Sequence, residues 1–272
     1  MIVNYPRMKR RVKGWPDDLD TALEFSSANP FSISAPKNWD GKLEYTNGSG
    51  WKMWDGSAIA SGEIEKNHYI YLRGTGNSKI TGTTSSSVKW SIIGTNIACN
   101  GDIDLLLDYS TVKSGNRPAM ASYCYSNMFY GCTSLTTAPS LPATTLKTNC
   151  YNSMFQGCTS LTTAPSLPAT TLANNCYYSM FQGCKSLTTV PSLPATTLAN
   201  NCYNSMFYLC TKIKLSTTAS GTYTKSYRIP KNGTGTTASG ALVYMFGNTG
   251  GTFNGAPKIN TTYYLDESNT IV

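Results

Sequence analysis

The sequence predicts a mixed α and β chain: an antiparallel, sandwich-like β module, then a short solenoid of repeats, then a C-terminal capping region. Three observations carry this reading. Apolar and polar residues alternate in short runs through the first hundred positions. From Ala121 a 26-residue unit recurs without an insertion. Acidic residues, present throughout the first part, are missing from the repeats.

Of 272 residues 40% are apolar, enough for a packed core, and only 13% are charged, about half the usual share. Ser, Thr, Asn, Gly and Tyr supply the polarity instead, as in extracellular binding modules. The formal net charge is +8. Residues 1–108 balance twelve acids against twelve bases, whereas residues 109–265 hold ten Lys or Arg and no acid. That density is too thin to track a phosphate backbone, so nucleic acid is not expected as a partner. A weak attraction to an anionic polymer fits better. No run approaches the length of a membrane span, so no membrane insertion is expected. The opening residues lack the apolar core of a secretory signal, which implies either a trimmed signal or release by another route.

Residues 1–20 form a basic arm broken by proline. It reads either as a floppy terminus or as a docking arm with Arg7, Lys9, Arg10, Arg11, Lys13 and Trp15 as anchors on a partner. Residues 21–101 are the β module. Leu23-Glu24-Phe25, Phe31-Ser32-Ile33, Leu43-Glu44-Tyr45, Trp51 to Trp54, His68 to Leu72 and Val88 to Ile92 alternate. Turn signals such as Asn47-Gly48 and Asp55-Gly56 separate them. Trp51 and Trp54 could stack on a sugar face, or could pack the core.

Residues 102–215 hold the predicted solenoid. Cys124-Tyr-Ser-Asn-Met-Phe-Tyr-Gly-Cys132 recurs from Cys150, Cys176 and Cys202, and the piece from Thr133 to Leu146 is nearly copied from Thr159 and from Lys185. Leu172, Cys176, Met180, Phe181 and Cys184 have the spacing of one helix face, with Thr170 or Thr171 as cap. Leu187, Val190, Pro191, Leu193 and Pro194 follow in an extended path, since each proline pushes its predecessor out of the helical region. One helix and one short strand per unit would bury its apolar stripe only by stacking. Residues 216–272 would cap the stack, with an echo of the repeat at Val243 to Gly247.

The order Cys-x-x-Leu, Leu-Pro, helix and Met-Phe-x-x-Cys resembles the BspA-type leucine-rich repeats of bacterial surface proteins. In that family Ala-Phe-x-x-Cys and Ile-Pro stand at matching places in a shorter unit. With Leu-Pro-Ala-Thr-Thr-Leu and Asn-Cys-Tyr, this version is similar to a subgroup found in gut Bacteroidetes and their phages. The resemblance implies a leucine-rich-repeat solenoid and an adhesive function, and it carries over no catalytic residue.

The remaining constellations are bland. Nine cysteines occur without Cys-x-x-Cys and without a nearby histidine, so the reading is a ladder of buried free thiols, with a disulfide framework as the alternative and no metal. His68 is the only histidine and sits in a strand, which leaves a catalytic triad without a second base. Asp102, Asp104 and Asp108 echo a calcium loop, but the intervening Leu105-Leu106-Leu107 argues for regular structure. No cofactor is expected. The candidate binding surface is Thr136, Thr137, Ser140, Thr162, Thr163, Ser166, Thr188, Thr189 and Ser192, whose short hydroxyls are cheap to order. Tyr125, Tyr151, Tyr177, Tyr178 and Tyr203 either add an outer aromatic column or cover the core. The functional expectation is a non-enzymatic phage virion protein, such as a head-fibre, tail or receptor-binding component. It would dock on other virion proteins through its arm and present the repeat surface to a host glycan or protein, with a homo-oligomer possible. The alternative is a bacterial cell-surface adhesin.

Overall fold

The computed structural model describes residues 13–36, 39, 41–80 and 89–272. Arg7, Lys9, Arg10 and Arg11 of the predicted arm lie outside the described residues.

Among those residues the first hundred positions form β1 (Leu23–Ser27), β2 (Ser32–Ser34), β3 (Leu43–Thr46), β4 (Lys52–Met53), β5 (Ile59–Ala60), β6 (Gly62–Ile64), β7 (Asn67–Gly74), β8 (Ser91–Ile93) and β9 (Ile97–Asn100). The eight residues of β7 are the spine. β1 runs antiparallel along one edge, from Leu23 opposite Leu72 to Ser27 opposite His68, while β3 and β6 share the other edge. β9 and β4 extend this sheet, and β5, β2 and β8 make a small second one. Alternation buries Leu23, Phe25, Ile70, Leu72, Ile97 and Cys99. Trp54 lies between Trp39 and Trp90, with ring centroids at 5.1 and 5.3 Å.

One α-helix follows, α1 (Leu105–Lys113), the only one among the described residues. Asp108 interrupts it with an extended backbone (φ −156°, ψ 102°). Its carboxylate then accepts from Ser110 Oγ at 2.6 Å and Thr111 N at 2.8 Å, which restarts the helix as an N-cap would.

The expected solenoid with one helix per repeat is overturned. Each Cys-to-Cys segment is a ribbon of successive tight turns. Even-numbered amides bond backwards within the ribbon, Ser126 N to Tyr123 O at 3.0 Å and Tyr130 N to Asn127 O at 3.0 Å. Odd-numbered amides donate to the next repeat, Asn127 N to Asn152 O at 2.8 Å, Phe129 N to Met154 O at 2.9 Å and Gly131 N to Gln156 O at 2.7 Å. Left-handed φ values at Tyr123 (65°), Tyr125 (61°), Asn127 (57°) and Gly131 (69°) turn these amides outward. An α-helix needs right-handed backbone throughout and spends its interior donors internally, so this geometry excludes it. No leucine-rich coil of helix plus strand closes around the core. Thr170 and Thr171 have no helix to cap.

The extended halves also pair between repeats, in parallel and briefly. β10 (Leu135–Thr137) lies on β9, and isolated bridges join Thr137 to Thr163 and Thr145 to Thr171. Equivalent side chains therefore form columns. Tyr125, Tyr151, Tyr177 and Tyr203 stack at 5.5–5.8 Å between centroids, and Phe129, Phe155, Phe181, Phe207 and Phe246 at 5.3–5.7 Å. Each such pair contributes roughly 0.5–1.5 kcal/mol beyond the area it buries. The tyrosine column is core, fully buried at those four positions, and only Tyr178 of the five reaches the surface.

Both ends are closed. At the first, β9 pairs with β10 and the Trp90 amide donates to Met128 O at 3.0 Å. At the other, residues 241–247 make a fifth, degenerate ribbon, taking Ser205 N on Val243 O and Phe207 N on Met245 O. β12 (Leu215–Ser216), β13 (Tyr223–Arg228) and β14 (Thr262–Asp266) form a sheet in the order β12-β14-β13. The chain ends as β15 (Thr270–Ile271), parallel to β11 (Thr189–Val190) of the third repeat. Asn269, fully buried, locks this end: its amide donates to Thr188 O at 3.0 Å and Lys212 O at 2.9 Å, and its carbonyl accepts Lys214 N at 2.8 Å.

Candidate binding surface

The predicted hydroxyl face is present in part. Thr137, Ser140, Thr162, Thr163 and Ser166 are exposed, and Thr136 and Ser192 partly so. Several hydroxyls are already engaged: Thr136 Oγ1 donates to Ile97 O at 3.1 Å, Ser140 Oγ to Gly101 O at 3.0 Å and Thr188 Oγ1 to Thr162 O at 3.2 Å. Thr189 is buried in β11, where its Oγ1 accepts the Ala164 amide at 2.6 Å. The ending strand therefore interrupts this face at the third repeat. Between the first two repeats, Pro139, Ser140, Pro142, Pro165, Ser166 and Pro168 line a shallow groove of about 310 Å³.

The indoles are not free to stack on a sugar. Trp54 is buried and donates to Ser57 O at 2.8 Å. Trp51 donates to Asp18 Oδ1 at 2.8 Å, and the Arg73 guanidinium lies 3.9 Å over its ring. Arg73 is itself held by Glu44 at 2.8 Å and Asp18 at 2.5 Å, and sits 4.3 Å over Tyr109. Trp15, read from the sequence as an anchor for a partner, packs edge-on against Tyr71 at 5.9 Å and is partly buried, while Lys13 is exposed.

A longer ladder was passed over. Thr144-Thr145, Thr170-Thr171, Thr196-Thr197 and Thr236-Thr237 recur along the chain as two bridged sets, and all eight are exposed. Thr145 bridges Thr171 and Thr197 bridges Thr236, with Thr170 N donating to Thr144 O at 3.0 Å and Thr236 N to Thr196 O at 2.8 Å. Among the described residues only Thr237 Oγ1 donates within the protein, to Ala238 O at 3.4 Å. The recurring Thr-Thr dipeptide was the available signal. Reading it as a helix cap hid it.

The remaining polar groups are largely occupied. Asp102 pairs with Arg117 and accepts the Asp104 amide at 2.9 Å. Asp104 accepts Tyr125 Oη at 3.1 Å, and Asp108 is the restart cap described above. Together they do not form a calcium loop. His68 Nδ1 is buried with no hydrogen-bond partner among the described residues. All nine cysteines are buried free thiols. The second thiol of each repeat donates to the phenylalanine carbonyl of the repeat before it: Cys158 to Phe129 O at 3.1 Å, Cys184 to Phe155 O at 3.1 Å, Cys210 to Phe181 O at 2.9 Å. Burial pushes Cys132 and Cys150 up to about 11 and Cys184 and Cys202 up to about 12, so at neutral pH these sulfurs are held as thiols rather than thiolates.

No protein-family model, no curated protein and no solved structure matches this chain.

Proposed function

We propose that the protein is a non-enzymatic adhesion component of a phage particle and that it holds a host-surface glycan against the threonine ladder. One observation carries the reading: eight exposed threonines in paired rungs, seven of them with no side-chain hydrogen bond among the described residues. Each hydroxyl offers a donor and acceptor on a side chain with little freedom to lose. Backbone bonds from Thr170 N to Thr144 O and from Thr236 N to Thr196 O hold these segments in place, so the surface is pre-organised and a polymer pays for its own ordering alone. The thin positive charge of residues 109–265 adds attraction to an acidic capsule without demanding one. Particle location rests on the resemblance of the repeat motif, with the bacterial surface as the alternative.

The test is retention on immobilised capsular polysaccharides of candidate hosts, comparing the wild-type chain with a Thr170→Val/Thr171→Val variant. Valine keeps the shape and removes two hydroxyls, so at 0.5–1.5 kcal/mol per bond affinity should fall by about fivefold to about 150-fold. No retention on any polysaccharide, or retention that the variant leaves unchanged, would sink the glycan reading. Antibody labelling of intact particles tests location: label on particles supports it, and label confined to the bacterial envelope overturns it.

A further inference from the structure

Where the ladder begins, the chain between α1 and the first repeat folds a concave corner of about 260 Å³, lined by Asp104, Arg117, Pro118, Met120, Ala143, Thr144, Thr145 and Lys147 among others. That is slightly under the usual range of small-molecule sites, roughly 300–1,000 Å³. A corner of that size suits one sugar ring. We infer that this corner is a subsite for one neutral pyranose unit, contiguous with the first threonine pair; the inference rests on the glycan reading above.

The polar groups select the ligand class. Asp104 is 1% exposed, and its Oδ1 accepts from Tyr125. Its Oδ2 stands 3.5 Å from Arg117 Nη1, too far for a good hydrogen bond. A sugar hydroxyl bridges such a gap, donating to the carboxylate and accepting from the guanidinium. The lining carries Asp104 of one sign and Arg117 and Lys147 of the other, so a ligand of either charge meets a like charge beside an opposite one, whereas a neutral ring meets no like charge. Thr144 and Thr145 supply further hydroxyls at the rim, and both are exposed. Pro118, Met120 and Ala143 give the apolar floor that the C–H face of a pyranose needs. A buried charged acceptor, a half-exposed planar donor and an apolar wall on three different chain segments make a built site. An acidic cluster alone would not qualify.

The probes are methyl glycosides of glucose, galactose, mannose and N-acetylglucosamine, with glucuronate as the charged comparison, read by saturation-transfer NMR on the full-length chain. At least one neutral glycoside should bind, with Kd on the order of 1–10 mM. Arg117→Ala, a change at a side chain that is 51% exposed, should weaken it about tenfold or more through loss of a charge-assisted hydrogen bond. Met120→Trp, which fills the corner without touching the ion pairs, should abolish it. Polysaccharide retention without any glycoside binding overturns this subsite and leaves the ladder standing. Failure of both assays overturns both. Stronger binding of glucuronate than of every neutral glycoside, or glycoside binding that survives Met120→Trp, also refutes the assignment.

Discussion

Replacing Asp104 by asparagine removes a charge that the fold holds at a cost. The carboxyl is 1% exposed, and burial, reinforced by Asp102, raises it from 3.8 to about 6 against the opposing hydrogen bond from Tyr125 and the attraction of Arg117. The folded state therefore binds this proton more tightly than the unfolded chain does. Stability falls as pH rises from 3.8 to 6 and stays reduced above it. At about 1.36 kcal/mol per decade, the displacement corresponds to roughly 3 kcal/mol at neutral pH. That displacement already includes the attraction of half-exposed Arg117, and the asparagine carbonyl still accepts from Tyr125. The net expectation for Asp104→Asn is a gain of up to about 3 kcal/mol at pH 7.5. The assay is urea unfolding at a series of pH values. The variant's advantage should shrink from pH 6 downward and vanish near pH 4. Asp108 and Asp266, held down to about 2 by hydroxyl and amide donors, lose their contribution only below that window and do so equally in both proteins. A variant less stable than wild type at pH 7.5, or a difference that does not change between pH 4 and 7, would refute the account.

Three further outcomes follow from particular residues. Tyr151 Oη is buried without a partner whereas Tyr125 Oη bonds Asp104 and Ile103 O; Tyr151→Phe should be neutral or stabilising by about 1 kcal/mol and Tyr125→Phe destabilising by about 1–3 kcal/mol, read by thermal unfolding. Leu209 stands where earlier repeats have Gly131, Gly157 and Gly183, and holds the same left-handed backbone at φ 63°; Leu209→Gly should raise stability by about 1 kcal/mol. Native protein should leave all nine thiols unmodified by a disulfide reagent at pH 8, and unfolded protein should yield nine; rapid native labelling of any repeat cysteine would contradict the burial argument.

Part of the β module can be read directly from the sequence, because alternation at Leu23-Glu24-Phe25 reports a sheet face, whereas β7 is buried without alternation from Ile70 to Gly74. The repeats deceived for a definite reason. Cys124, Tyr125, Met128, Phe129 and Cys132 recur every three or four positions, as on a helix, but a ribbon of four-residue turns has the same period. Composition could have separated the two. Asn149, Ser153 and Gly157 stand at every fourth place and all adopt positive φ, and Asn, Ser and Gly are poor helix formers. The threonine pairs were visible but misassigned, since a capping role depends on the helix that is not there. The corner at Asp104 could not be seen in sequence, because it joins residues from three segments. Its buried carboxylate appears as one more acid in a short run.

A ladder of near-identical strands in register is the geometry from which fibrils grow, since an open edge will accept another copy of itself. In this protein β15 lies along β11 and Asn269 spends its amide on Thr188 and Lys212, so β11 already has its partner and the margin left there is the two-residue β15. The β module blocks the opposite terminus through β9 and Trp90. Units of 26 residues can therefore be added between these two ends, lengthening the threonine-bearing surface in fixed steps.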